Sequence, residues 1–361
     1  MPRPFRRHHS IAPLGRRMFE EEEDFNMKKK VIVGLFVLMT LCLLVPSAFA
    51  KGHTIGVVIP YEIGWFAGFH NGFQIVANNQ GDKLVFAYHN YQADKETEAV
   101  QNLISQGVDA LNVTAVTPQS AEYSCRLANE AGIPIQITES GIAAGQGKPF
   151  ADIDFNWFEV YKTVAQGIRN DVKGDLSVIW IQGFAGTPPV MQGDQGFKDA
   201  IAKMKGIKLA VAPQDGQYAT APSLNIMKTL IQSGTKFNVA IGGCQEITDG
   251  IIQALKEENV PRNAVTVVTV NGGPMDINNF LKGNLDYALS QSPALHGMIC
   301  AANLTAYLNK ETYQKKTYSP VVWVSKSNWR SKYITWSVDE SWLPLVYEFV
   351  KTGKYKPELL K

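Results

Sequence analysis

The chain has 361 residues, 45% hydrophobic and 19% charged, a globular balance at a length that suits two domains. The formal charge of +2 comes from the first 50 residues, which hold 8 Lys/Arg and 5 Asp/Glu. The remainder has 35 less 8 basic and 33 less 5 acidic side chains, a net of −1, and lacks the basic patch of a nucleic-acid binder.

The N-terminus reads as a targeting signal. Lys28, Lys29 and Lys30 are its positive start, residues 31–45 its apolar stretch, and Ala48-Phe49-Ala50 a small-x-small cleavage site. Cleavage after Ala50 is expected, leaving Lys51 first in an exported protein. The apolar run is short for a membrane span. Leu41, ahead of Cys42, is larger than a lipidation signal takes. The acidic cluster at 20–24 is foreign to a signal peptide, so translation is expected from Met27, with 1–26 an upstream misreading or a leader. Cys125, Cys244 and Cys300 remain; their spacings fit no metal motif, and buried free thiols are expected.

From residue 52 apolar runs alternate with helical patterns. A strand over 55–59 ends at Pro60; after a loop, Trp65, Phe66, Phe69 and Phe73 recur at helical spacing, giving a helix over 65–79. A strand over 84–87 leads into a polar loop, 88–92, and Asp94 is expected to cap a helix to 106. A strand over 110–113, a helix over 118–129 and a strand over 134–137 follow. Beyond a glycine-rich stretch, 141–147, and a short segment, 151–154, the alternation restarts. It gives helices over 157–170, 192–204, 221–232, 247–257 and 275–281. Strands over 177–181, 208–212, 239–241, 265–270 and 287–289 lie between and after them. A long helix over 293–308, a strand over 318–324 and a tail with Trp329, Trp336, Trp342 and a helix over 340–351 close the chain. Short apolar strands separated by helices form parallel sheets covered on both faces. The expected fold is α/β, two doubly wound parallel-sheet lobes.

Catalytic signatures are missing. There is no G-x-S-x-G, no H-E-x-x-H, no P-loop and no G-x-G-x-x-G after a strand. The histidines lack metal-ligand spacing, so no metal and no cofactor is expected. In open α/β sheets ligands bind beyond the carboxyl ends of the strands. The first half places Tyr61, Trp65, Phe66, His89, Asn90, Tyr91, Thr114 and Glu139 there. The second half places Gln182, Phe184, Gln192, Gln245, Glu246, Asn271 and Gln291 there. Amides and carboxylates pair with adjacent hydroxyls, and aromatic faces stack on a ring or chain. The candidate ligand-binding residues are Trp65, Phe66, Tyr61, Asn90, Tyr91, Thr114, Glu139, Gln182, Gln192, Gln245, Asn271 and Gln291. Helix capping and interlobe contact are the competing roles for most of them. For Tyr61 the choice between a staple of its loop and a wall of the site stays open.

The sequence resembles the type I periplasmic solute-binding proteins of ABC transporters, the ribose- and galactose-binding group, over residues 52–325. The likeness is carried by IGVVIPYEIGWFAGFHNGF, QNLISQGVDALNV, ANEAGIPIQITES, IQGFAGTPPVMQGDQGFKDAI and VVTVNGGPMDINNFLKGNLDYALSQSP. It implies two lobes joined by a multi-strand hinge, in a substrate-binding component that closes by that hinge over a sugar, polyol or sugar derivative and delivers it to a membrane permease, as a monomer. The alternatives are a periplasmic sensor for a chemoreceptor or histidine kinase, and an enzyme using Glu139 as base. The implied lobes are 51–153 with 292–322, and 154–291, followed by an extension over 323–361.

Position by position, Trp65 and Phe66 match the family's paired aromatics, and Gln291 a ligand-contacting Gln. Glu139 stands where the family usually has Asp followed by Arg, and here Ser140 follows. Gly193 falls where ribose-type members place a second Arg. Asn271 replaces an Asp, and Cys244 stands where many members have Asn. These departures move the expected ligand from a plain pentose toward a polyol, a modified or amino sugar, or another small polar molecule. Glu139 without a neighbouring Arg favours a cationic group, and no cleft Lys or Arg is expected for an anion.

Overall fold

In the computed structural model, which describes residues 52–355, the chain builds two sheets. The expected leader, signal peptide and cleavage site lie outside the described residues. The first sheet takes β1 (Thr54–Ile59), β2 (Lys83–Tyr88), β3 (Ala110–Thr114), β4 (Ile135–Thr138), β5 (Ala151–Asp154) and β12 (Lys316–Tyr318). Their order is β12-β5-β4-β3-β1-β2, and every pairing is parallel. The second takes β6 (Leu176–Gln182), β7 (Ile207–Leu209), β9 (Val239–Gly242), β10 (Thr266–Asn271), β11 (Tyr287–Ser290) and β13 (Val322–Ser325), in the order β13-β11-β10-β9-β6-β7. A two-residue strand, β8 (Gln214–Asp215), pairs with β6.

The first-lobe helices are α1 (Trp65–Gln80), α2 (Ala93–Ser105) and α3 (Pro118–Glu130). The second lobe has α4 (Trp157–Asp171), α5 (Pro188–Ile201), α6 (Thr220–Gln232), α7 (Gln245–Glu257) and α8 (Pro274–Leu281). The apolar run of β1 is buried from Ile55 to Ile59 because helices cover both faces of its sheet. On α1 the predicted stripe does the covering: Phe66, Phe69 and Phe73 are buried, and Gly81 ends the helix in the left-handed conformation. Against it lies α9 (Pro293–Leu308), a helix apolar nearly all round and buried from Pro293 to Ala306. The two backbones nearly touch. A Cβ on Gly72 would lie 1.8 Å from the Ala294 carbonyl oxygen, and one on Gly297 2.1 Å from that of Phe69.

Four expectations are corrected in detail. The helix expected at 192–204 is α5, starting at Pro188, because two prolines fit the first turn, where missing N–H groups cost nothing. Gln92, not Asp94, is the N-cap of α2; Asp94 sits in the first turn, where its charge still complements the helix dipole. The strand expected at 208–212 stops at Leu209. The strand expected at 318–324 is two strands broken at Pro320. β12 runs parallel to β5 in the first sheet, and β13 antiparallel to β11 in the second.

The extension expected over 323–361 begins inside the fold, since β13 belongs to the second sheet. The tail then crosses back. Trp329 stacks on Phe280 of the second lobe, with ring centroids 5.8 Å apart. Ile334 donates its backbone N–H to Ser290 Oγ at the end of β11. A last helix, Leu343–Thr352, buries Leu343, Val346, Phe349 and Val350 in the core of the first lobe. The tail is thus a strap across both lobes. Cys125, Cys244 and Cys300 are buried free thiols.

Candidate functional site

Residues just beyond the carboxyl ends of the strands surround a cavity of about 220 Å³ between the lobes. Of the predicted residues, Tyr61, Trp65, Phe66, Tyr91, Thr114 and Glu139 line it from the first lobe. Asn271 and Gln291 line it from the second lobe and the hinge. Tyr61 serves both roles left open for it. Its ring meets Phe66 and Tyr91 edge-on, with centroids 5.6 and 5.8 Å away, and still walls the cavity.

Asn90, Gln182, Gln192 and Gln245 do not line the cavity. Asn90 is exposed in a left-handed turn. Gln182 is the last residue of β6, and the cavity is reached by Gly183 behind it. Gln192 sits past the cavity-lining first turn of α5, beside Gly141. Gln245 is occupied locally: its amide donates to Glu246 Oε1 (3.0 Å) and its carbonyl accepts from Met275 N–H (3.1 Å).

The aromatic wall is deeper than expected. Trp157 and Tyr161 of α4 and Tyr218 after β8 join Tyr61, Trp65, Phe66 and Tyr91. Trp65 lies parallel to Phe69 (6.0 Å) and edge-on to Phe66 (5.0 Å), and both its neighbours are buried. The lack of a side chain at 193 has a steric explanation. A Cβ on Gly193 would lie 2.5 Å from the Tyr161 ring, so that ring fills the space a side chain at 193 would need. Ser140 is turned into the first lobe, bonded to Ala115 N–H (2.7 Å) and to the Ala115 and Thr138 carbonyls.

Two tyrosines latch the lobes. Tyr91 and Tyr218 each sit second in a pair of left-handed residues, Asn90–Tyr91 and Gln217–Tyr218. Such conformations are strained for non-glycine residues and need support. His89 supplies it on the first lobe: its Nδ1 accepts from Tyr91 N–H (3.1 Å) while Nε2 donates to the Thr114 carbonyl (2.9 Å). Burial lowers the His89 pKa to about 4, which keeps the ring neutral in those roles. Across the cleft, Tyr91 stacks on Tyr218 (6.0 Å, 17°) and packs on Phe184 (5.1 Å). The lobes are in contact over the cavity.

Glu139 is the unusual charge. It follows β4 with φ +63°, is buried, and its Oε1 has no hydrogen-bond partner in good geometry. His296 Nε2 of α9 lies 3.2 Å from that oxygen but off the line of a hydrogen bond. Burial lowers the His296 pKa to about 3, so this imidazole carries no charge to offset the carboxylate; its Nδ1 pairs with Ser319 Oγ (2.7 Å). Burial first, and then the charge of Asp154, push Glu139 well above the ordinary carboxyl range. Asp154 is itself raised to about 7 by burial. A second carboxylate, Glu246, lines the cavity from the first turn of α7. No Lys, Arg or His lines it.

Among the described residues, several buried polar atoms at the cavity have no hydrogen-bond partner in good geometry: Glu139 Oε1, Gln291 Oε1, and the indole N–H groups of Trp65 and Trp157. The Gln291 amide donates to Asn271 Oδ1 (2.6 Å), which fixes the pair. From the tail, Trp336 Nε1 donates to the Gln291 carbonyl (2.8 Å). Unmet donors and acceptors facing a walled cavity are what a polar ligand would satisfy.

The sequence profile of the periplasmic binding protein domain matches residues 55–312. The chain belongs to the periplasmic binding protein family. This binding protein is 23% identical over 307 residues to the ribose import binding protein of Bacillus subtilis, covering 82% of this chain and 98% of the relative. Its fold matches the binding component of the arabinose ABC transporter of Shewanella sp. ANA-3, bound to L-arabinofuranose. That match has a TM-score of 0.72 and 23% identity, over 78% of this chain and 94% of the other. It also matches an ABC transporter solute-binding protein of Burkholderia graminis in complex with D-arabinose, with a TM-score of 0.72 and 21% identity, over 79% and 99%. The architecture of two α/β lobes with mostly parallel sheets is that of these neighbours. The relatives are solute-binding proteins, not enzymes.

Among the cavity residues outside the predicted ligand-binding set are Trp157, Tyr161 and Tyr218, and also Glu246, which the sequence places at the strand ends but not among the ligand contacts. Trp157 had a readable signal, since it opens a helix just after a strand, as Trp65 does. Tyr161 lies one turn further along the same face. Tyr218 follows a strand of only two residues and has no comparable signal.

Proposed function

We propose that this chain is the exported receptor of an ABC importer, binding a small polyhydroxylated molecule between its lobes and presenting it to a membrane permease. One observation carries the reading: an interlobe cavity walled by aromatic rings, with buried polar atoms left unmet and no cationic side chain in its lining. Rings stack on the apolar face of a sugar or cyclic polyol, and Asn271 and Gln291 address its hydroxyls. The relatives' names, which speak of ribose and arabinose, support this class.

The receptor works as a periplasmic monomer with the signal peptide removed. Its moving bodies are 51–153 with 292–321, and 154–291 together with β13. Ligand contacting both lobes favours the closed form by its differential affinity for it, the general logic of hinge closure in such receptors.

A thermal-shift panel of aldoses, ketoses, polyols, cyclitols and amino sugars tests the proposal. A true ligand at 100 times its Kd stabilises the fold by about 2.7 kcal/mol, a shift of several degrees. A panel without a single saturable shift, backed by calorimetry showing no heat of binding, would sink it. Growth on the best hit then reports on delivery: deletion of the gene should slow uptake at low concentration. If only taxis or signalling is lost, the sensor role takes its place.

A further inference from the structure

Glu139 presents a buried carboxyl oxygen without a hydrogen-bond partner to the cavity, and nothing within the lining can neutralise it. His296 stands 3.2 Å behind that oxygen, with burial favouring its uncharged form. Trp65 lies 5.9 Å from the His296 ring; Phe155 lies 4.6 Å from that ring and 5.5 Å from Trp157. Two indoles and one carboxylate therefore gather at one end of the cavity. On the second lobe Glu246 adds another negative charge, and its carboxylate approaches Gly64 of the first.

A buried carboxylate without a partner is costly and must be neutralised by a proton or by a cation. The walls decide between these. Indole faces attract cations, most strongly where water is excluded, and an ammonium also makes charge-assisted hydrogen bonds to a carboxylate. A neutral hydroxyl gains little from two indole faces.

We infer that the ligand carries an ammonium group, seated between Glu139 and the indoles of Trp65 and Trp157, on a hydroxylated frame held by Asn271 and Gln291. It would be an amino sugar or an amino-substituted polyol. This rests on the reading of the cavity as a receptor site for a polyhydroxylated molecule, and it names the feature that sets the ligand apart from a plain sugar. The ammonium takes the place of the proton that Glu139 otherwise retains.

The test is calorimetry at pH 7.5 with matched pairs: glucosamine against glucose, galactosamine against galactose, mannosamine against mannose, and 3-amino-1,2-propanediol against glycerol. At least one amino compound should bind tenfold or more tightly than its hydroxyl partner. That preference should vanish in Glu139→Gln. Glu139→Asp should keep its sign at lower affinity, and the ligand-free melting curves establish that each variant is folded. Hydroxyl compounds binding at least as tightly as their amino partners would overturn the inference and leave the receptor reading standing. So would a preference that survives in folded Glu139→Gln. If neither series binds, this inference falls, while the receptor reading is decided by the wider thermal-shift panel.

Discussion

Replacing Trp65 separates stacking from hydrogen bonding at the cavity. The indole packs on Phe66 (5.0 Å), Phe69 (6.0 Å), Phe155 (6.2 Å) and His296 (5.9 Å), and its N–H is buried without a partner. Trp65→Ala loses those contacts. Full truncation of a buried aromatic costs about 3–5 kcal/mol, and a partly buried one less, so roughly 2–3 kcal/mol is expected here. A fold stable by about 5–15 kcal/mol survives that. Binding loses one indole face, about 80 Å² of apolar contact at 25 cal/mol per Å², or roughly 2 kcal/mol and a 30-fold rise in Kd. Trp65→Phe keeps a ring but removes the unmet N–H. Its ligand-free stability should stay within about 1 kcal/mol of the parent, since a relieved desolvation penalty offsets lost contact area. If the ligand accepts a hydrogen bond from that N–H, Trp65→Phe should lose about 1 kcal/mol more affinity than its smaller area explains. The assay is calorimetric titration with the strongest hit of the panel, alongside urea unfolding of each variant. A folded Trp65→Ala protein that binds within about threefold of the parent would refute the placement of the ligand against this ring.

Three further outcomes are expected. Trp336→Phe removes the tail's hydrogen bond to the Gln291 carbonyl (2.8 Å) and should weaken binding by about 1 kcal/mol, roughly fivefold, through faster release in stopped-flow traces; unchanged release would mean the strap does not brace the hinge. Asp276 accepts from Gly273 N–H and Thr269 Oγ1, but its other oxygen is buried without a partner, and burial raises its pKa from 3.8 to about 7. A raised folded-state pKa gives stability that is present below about 4 and lost as pH climbs through 7, in all about 4 kcal/mol. Asp276→Asn, which mimics the protonated acid, should therefore gain on the parent by about 2.5 kcal/mol between pH 5 and pH 8 in urea unfolding; a gap constant with pH would count against the buried acid. Intact mass of the secreted protein should place Lys51 first, and a chain retaining Cys42 contradicts the cleavage site.

Much of the scaffold is legible in the sequence because burial dictates pattern. β1 reads as a strand since its apolar run is covered on both faces, and α1 reads as a helix from the spacing of Phe66, Phe69 and Phe73. Trp65, Phe66, Asn271 and Gln291 are legible at the site because each stands at or shortly beyond the carboxyl end of a strand. Gln182, Gln192 and Gln245 look the same in sequence but do not line the cavity, and for Gln245 a local hydrogen bond to Met275 N–H takes the amide. Trp336 was unreadable for the opposite reason: its partner is a backbone carbonyl 45 residues upstream, met only when the tail crosses both lobes. The latch of Tyr91 on Tyr218 depends on left-handed turns at non-glycine residues, which composition does not announce.

The central claim is that the interlobe cavity holds a small hydroxylated ligand. The most direct measurement is a crystal structure grown with the strongest hit of the panel. The account predicts that ligand between Trp65 on one lobe and Asn271 and Gln291 on the other, with a polar atom within hydrogen-bond distance of Glu139 Oε1. A hit bound outside this cavity, or inside it with Glu139 Oε1 still unpartnered and Trp65 untouched, would contradict it.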